Sequence, residues 1–181
     1  MPTNLIGFTG KKQSGKNTAA SFLEGFRQDS FAHDLKEILY SIQGIYIPFL
    51  DHFFTYQYVI DTIGIDRAKE EIPEVRHMMQ SFGSEGVRRI LGEDVWVDAL
   101  FSRYTPGEKL AITDVRYANE AKAIHDRGGI VVRIVRPTAP EQSDTHSSEN
   151  GLFPVDLTIV NDGDMLSLKE KVKDMLTLYR F

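Results

Sequence analysis

Leu5-Ile6-Gly7-Phe8-Thr9-Gly10-Lys11-Lys12-Gln13-Ser14-Gly15-Lys16-Asn17-Thr18 is the stretch that decides the fold. Its first five residues are a short, mostly apolar run closed by a glycine, which predicts a buried strand. Gly10 to Lys16 then satisfies G-x-x-x-x-G-K, the spacing of a phosphate-binding loop. Beyond the loop, Ala19, Phe22, Leu23 and Phe26 recur at i, i+3, i+4 and i+7, which predicts one apolar face of a helix. Strand, glycine-bearing loop and helix is the context the motif requires. Each part has a physical reason. The glycines let the backbone wrap an anion, successive N–H groups line the wrap, and a lysine reaches the outer phosphate oxygens. Gly10, Lys12, Gln13, Ser14, Gly15, Lys16, Asn17 and Thr18 are therefore the candidate triphosphate-binding residues. One position departs from the pattern. Asn17 follows Lys16 where a Ser or Thr normally offers its hydroxyl to Mg²⁺.

The same alternation continues along the chain. Leu110 to Thr113 predicts a second buried strand ending at Asp114, and Ile130 to Val135 a β-branched third ending at Arg136-Pro137. Leu157 to Val160 predicts a fourth, closed by Asn161-Asp162-Gly163, and Ser30 to Ala32 a weaker one. Asn119 to Arg127 reads as a helix stopped by Gly128-Gly129. A last helix carries Leu168, Val172, Met175, Leu176 and Tyr179 on one stripe, with Ser167 and Glu170 at capping-box spacing. Strands separated by helices imply right-handed βαβ units and a parallel sheet, whose ligands bind at the carboxyl ends of the strands. Residues just past each strand are then the suspects, and Asp114, Arg116, Arg136 and Asn161 are among them. Asp114 is placed to hold Mg²⁺ directly or through water, with Arg116 aimed at the same phosphates.

Composition narrows the class. The 181 residues suit one domain with a single core, and the chain has no cysteine, so no disulfide framework or cysteine zinc site exists. The five histidines (His33, His52, His77, His125 and His146) share no metal-ligand spacing, and no zinc site is expected. The net charge of −5 argues against a nucleic-acid partner. The apolar run after Met1-Pro2-Thr3-Asn4 is too short for a signal peptide or a membrane span, so a cytosolic protein without a membrane partner is expected. Two stretches lack a clear period. Gly44 to Glu74, rich in aromatics, reads as packed cover or a partner surface. Pro137 to Pro154, polar and lying between two strands, reads as a lid.

A third cluster is Gln80 to Arg89. Val75, Met78, Met79 and Phe82 make a helical stripe, and Ser84 is placed to cap a second helix presenting Arg88 or Arg89, whose guanidinium forks suit phosphate oxygens. Trp96 reads as core rather than as a stacking platform for a base.

Taken in order, Gly10 to Thr18, Phe31-Ala32-His33-Asp34-Leu35-Lys36, Gln80-Ser81-Phe82-Gly83-Ser84-Glu85 with Arg88, and Asp114-Val115-Arg116-Tyr117-Ala118-Asn119-Glu120-Ala121 resemble the bacteriophage-type deoxynucleoside monophosphate kinases. Arg133 to Pro137, His146-Ser147-Ser148-Glu149, Asp156 and Asn161-Asp162-Gly163 extend the likeness over nearly the whole chain. The resemblance implies ATP as co-substrate, Mg²⁺ as metal and a deoxynucleoside monophosphate as acceptor, in the host cytoplasm if the source is a phage. It implies that Asp34, Lys36, Gln80, Glu85, Arg88, Arg116 and Asn119 lie on the acceptor side. Arg136 would bridge the transferring group, and Asn161 would flank the adenine.

The expectation is a three-layer α/β P-loop NTPase fold in one domain, with a parallel sheet. A helical acceptor-binding insertion spans about 35–104 and a lid about 137–155. Lys16, Arg116, Arg136 and Asp114 are the expected catalytic residues, and Asp114 with Asn17 the metal ligands. Two other readings stay open here. One is another small-metabolite kinase resembling dephospho-coenzyme A kinase, and the other is a nucleotide-binding module without catalysis. Monomer and homodimer are both compatible with the sequence.

Overall fold

The computed structural model describes residues 4–42, 44–137 and 153–180. The chain starts with β1 (Leu5–Thr9), α1 (Lys16–Ser21) and β2 (Arg27–Asp29). It continues through α2 (His33–Ser41), β3 (Ile45–Ile47), β4 (His52–Phe54), α3 (Tyr56–Ile63), α4 (Ile65–Glu71) and α5 (Pro73–Gln80). A π-helical stretch, Ser81–Arg88, runs into α6 (Arg89–Leu91), and α7 (Val95–Ser102) follows. Then come β5 (Leu110–Ile112), α8 (Ala118–His125), β6 (Ile130–Val135), β7 (Leu157–Val160) and α9 (Met165–Tyr179). These elements form two compact units, Met1–Phe31 with Leu100–Phe181, and Ala32–Ala99.

The first unit is a five-stranded sheet in the order β2-β5-β1-β6-β7, parallel at every pairing. Alternation along the strands builds the layers. Ile6 and Phe8 of β1 join Ala111, Val132, Ile134 and Ile159 on one face, against Ala19, Ala20 and Leu23 and against Leu168, Val172 and Met175 of α9. Gly7 faces the other way, where a Cβ would lie 2.5 Å from Ile124 Cδ1 and 2.8 Å from Val115 Cγ2. That close approach seats α8 on the opposite face. The result is the helix–sheet–helix architecture of a P-loop NTPase. Each fully buried Leu, Ile or Phe in these strands contributes about 1.5–3 kcal/mol to the fold.

Four sequence expectations are corrected. The weak strand is at Arg27–Asp29, not Ser30 to Ala32. It is an edge strand with two exposed polar residues, so no apolar run marks it, while Phe31 turns inward and meets the ring of Phe101 edge-on at 6.3 Å. The first helix stops at Ser21, so Leu23 and Phe26 reach the core from the turns that follow it. The last helix is capped by Asp164, whose Oδ1 accepts from Ser167 N at 2.8 Å, because the helix begins before Ser167. Gln80 to Arg89 contains no break. Ser84 lies inside the π-helical stretch rather than capping a new helix.

The second unit shows why Gly44 to Glu74 had no single period. It is a hairpin, β3 paired antiparallel with β4, followed by two helices. Ile45 and Ile47 are buried while Tyr46 between them is exposed, as strand alternation requires. Tyr56 is fully buried, and burial and the neighbouring Tyr40 push its hydroxyl up to about 12. Phe49, Phe53 and Tyr58 are exposed. The packed-cover reading therefore fits Tyr56 and not these rings. Trp96 is core, as expected, and donates its indole N–H to Gly83 O at 3.1 Å.

The edge strand carries an electrostatic anchor. Arg27 ion-pairs with Glu108 and, at 2.6 Å, with Asp29, and Arg103 stands 3.6 Å from the same aspartate. Burial pulls the Asp29 carboxyl upward, but hydrogen bonds from Arg27 and Ser30 N–H and the charge of Arg103 outweigh it and hold it below 3.8. A depressed carboxyl stabilises the fold fully above its unfolded value and loses that contribution as pH falls through the folded one. Asp29→Asn is expected to cost about 2 kcal/mol at pH 7, the scale of a lost charged hydrogen bond. Urea unfolding at pH 7 and pH 3 checks it, because the gap between variant and wild type should narrow at pH 3.

Candidate active site

The strand order reverses at β1, whose neighbours are β5 on one side and β6 on the other. A parallel sheet opens a crevice at such a switch point, at the carboxyl ends of its strands. Both the Gly10–Lys16 loop and Asp114 start there. Val115 N donates to Phe8 O at 3.0 Å, so the residue after Asp114 is tied to the penultimate residue of β1. The loop and the aspartate are thus neighbours by sheet register.

The loop has the curl an anion nest needs. Gly10, Gln13 and Gly15 have φ of 142°, 59° and 102°. Gly10 cannot be replaced in place, since a Cβ would sit 2.2 Å from the backbone oxygen of Ile134. Ser14 N donates to Lys11 O at 3.2 Å and closes the turn. The Lys16 ammonium folds over the loop and donates to Gly10 O at 2.7 Å and Lys11 O at 2.8 Å. Ser14 is 1% exposed, and its Oγ has no hydrogen-bond partner among the described residues. A buried orphan hydroxyl costs about 1–3 kcal/mol, which a phosphate oxygen would offset.

Asp114 Oδ1 accepts from Phe31 N at 2.8 Å, which fixes the carboxylate at the mouth of β5. Glu120, which the sequence reading gave no role, secures the loop that follows. It is 3% exposed, and its Oε2 accepts from Arg116 N at 2.7 Å and Tyr117 N at 3.0 Å. The signal for it was a Glu near the start of a predicted helix, at capping distance from Tyr117.

The other expected residues fall as follows. Asn17 and Thr18 are in the first turn of α1, with Asn17 exposed, and Lys12 lies within the loop. Arg116 and Arg136 are exposed beyond β5 and β6, and Asn119 is half-buried on α8. Asn161, beyond β7, is buried and touches the loop itself. In the second unit, Asp34 and Lys36 are on α2, Gln80 ends α5, and Glu85 and Arg88 ride the π-helical stretch. Gly83 packs that stretch closely, as a Cβ there would meet Leu35 Cδ2 at 2.7 Å. The expected lid, with His146, lies outside the described residues apart from its ends.

Among the described residues, no three His, Asp or Glu side chains cluster as a metal cage. The donor set still fits Mg²⁺, which typically takes one or two carboxylates and completes its shell with phosphate oxygens and water. No helix among the described residues is long and apolar enough to cross a membrane.

Comparison with known proteins bears on this geometry. The family model described as deoxynucleotide monophosphate kinase matches residues 58–172. A protein of Acanthamoeba polyphaga mimivirus, provisionally named a deoxynucleotide monophosphate kinase, is 32% identical over 178 residues, covering 87% of this chain and 88% of its own. The deoxynucleotide monophosphate kinase of Enterobacteria phage T4 is 31% identical over 110 residues, which are 56% of this chain and 45% of the phage protein.

Proposed function

The chain belongs to the deoxynucleotide monophosphate kinase family, and on that premise we propose that it transfers the γ-phosphoryl group of ATP to a deoxynucleoside monophosphate. The observation that carries the proposal is the phosphate loop at the end of β1, with Asp114 at the mouth of the neighbouring strand. An acceptor phosphate oxygen attacks the γ-phosphorus in line as the bond to the β,γ-bridging oxygen breaks. ADP leaves, and the acceptor becomes a diphosphate. A phosphate monoester is already an anionic nucleophile near neutral pH, so no general base is needed.

The protein's work is positioning and charge. Loop N–H groups and Lys16 hold the triphosphate, and Arg116 and Arg136 neutralise the charge on the transferring group. Mg²⁺, held through Asp114 and more weakly through Asn17, would screen the β- and γ-oxygens. Asp34, Lys36, Gln80, Glu85, Arg88, Arg116 and Asn119 are assigned to the acceptor. The arginines there supply bidentate forks for its phosphate.

The deciding experiment is a coupled ADP-release assay with ATP against all common nucleoside and deoxynucleoside monophosphates, with dephospho-coenzyme A as a further arm. Turnover is expected with at least one deoxynucleotide. Turnover with dephospho-coenzyme A alone, or none with any acceptor, would overturn the proposal.

A further inference from the structure

Asn161 lies 147 positions from Ser14 in sequence, yet its side-chain Nδ2 donates to Ser14 O at 2.9 Å. The asparagine is 8% exposed and is itself fixed. Its N–H donates to Val135 O at 2.7 Å, which carries the β6–β7 ladder one step past Val160. Its amide fills the space beneath Gly15, where a Cβ would stand 2.6 Å from Nδ2.

The Ser14–Gly15 peptide is planar and trans, so its C=O and N–H point in opposite directions. Anchoring the Ser14 carbonyl on Asn161 therefore aims the Gly15 N–H away from Asn161. We propose that Asn161 is a positioning residue for the phosphate loop, a strut that keeps the Ser14–Gly15 peptide from flipping so that the Gly15 N–H donates to the triphosphate. This differs from contact with the adenine. A flipped peptide would present a carbonyl oxygen to the phosphates and repel them, so the strut acts on every ligand bearing the polyphosphate, whatever its base.

The inference rests on the ATP reading, and the two are tested separately. Wild-type binding of ATP and of inorganic tripolyphosphate, by titration calorimetry, comes first. If wild type binds neither, the functional reading falls and this inference with it. With wild-type binding in hand, Asn161→Asp keeps the shape but replaces the donor with an oxygen facing Ser14 O. Asn161→Ala removes the donor without that repulsion.

Both variants are expected to bind tripolyphosphate and ATP about tenfold or more weakly, the scale of one lost buried hydrogen bond plus a misdirected peptide. Affinity for adenosine should stay unchanged, and so should KM for the monophosphate acceptor. If Asn161→Asp melts below the assay temperature, Asn161→Ala decides alone, with its melting point measured beside its affinities. Wild-type affinity for tripolyphosphate in a folded variant would overturn the inference. So would a loss confined to adenosine, which would return Asn161 to the base.

Discussion

Lys16→Ala is expected to lower kcat by about 10²-fold or more, because it removes a full positive charge from the group that gains negative charge during transfer. The effect on folding should be small. The Lys16 ammonium is bound to Gly10 O and Lys11 O at the rim of the loop, and water can take its place at both carbonyls. ATP affinity should fall less than kcat, since loop N–H groups still hold the phosphates. Lys16→Arg should not restore the rate. A planar fork cannot stand in for a compact ammonium at the end of a flexible stem. Steady-state kinetics with a melting curve for each variant checks this, and near-normal kcat in folded Lys16→Ala would remove the phosphate loop from the mechanism.

What the sequence discloses here follows from how local each determinant is. The phosphate loop was legible because strand, glycines and lysine lie within twelve residues and each obeys a short-range rule. Asp114 was legible because a buried strand announces its own end, and polar residues at that end face the crevice. Edge strand β2 was not, since its stability comes from pairing with β5 and from the Arg27, Glu108 and Arg103 charges rather than from an apolar run. The early stop of α1 was also hidden. Phe22, Leu23 and Phe26 keep helical spacing, yet Gly25 at φ 78° lets the chain turn towards the sheet edge while those side chains still reach the core. Asn161 shows the limit most clearly. Its position past a strand marked it as a site residue, but its partner is a backbone carbonyl supplied by the far end of the chain.

Asp114→Asn should raise the Mg²⁺ concentration for half-maximal rate by about tenfold or more and lower kcat, the scale seen when a metal site loses a key oxygen donor or its support. The structure makes this a clean substitution. An asparagine at this position can still accept from Phe31 N–H through its amide oxygen, so the bond that fixes the loop survives while the negative charge is lost. Val115 N to Phe8 O and the Glu120 bonds to Arg116 N and Tyr117 N hold the same segment independently. A rate defect in this variant therefore reports on the metal rather than on a displaced loop. Asn17→Thr is the companion. Asn17 is exposed in the first turn of α1, where a hydroxyl is a ligand as hard as the amide oxygen and needs less room, so the change should be tolerated or mildly improve metal affinity. Mg²⁺ titrations of rate in both variants, at saturating ATP and acceptor, separate the two ligands. A normal Mg²⁺ profile for Asp114→Asn together with collapse of Asn17→Thr would move the metal from the carboxylate to the amide. The divergence expected instead, with Asp114→Asn impaired and Asn17→Thr active, would make the aspartate at the mouth of β5 the protein's main hold on the ion.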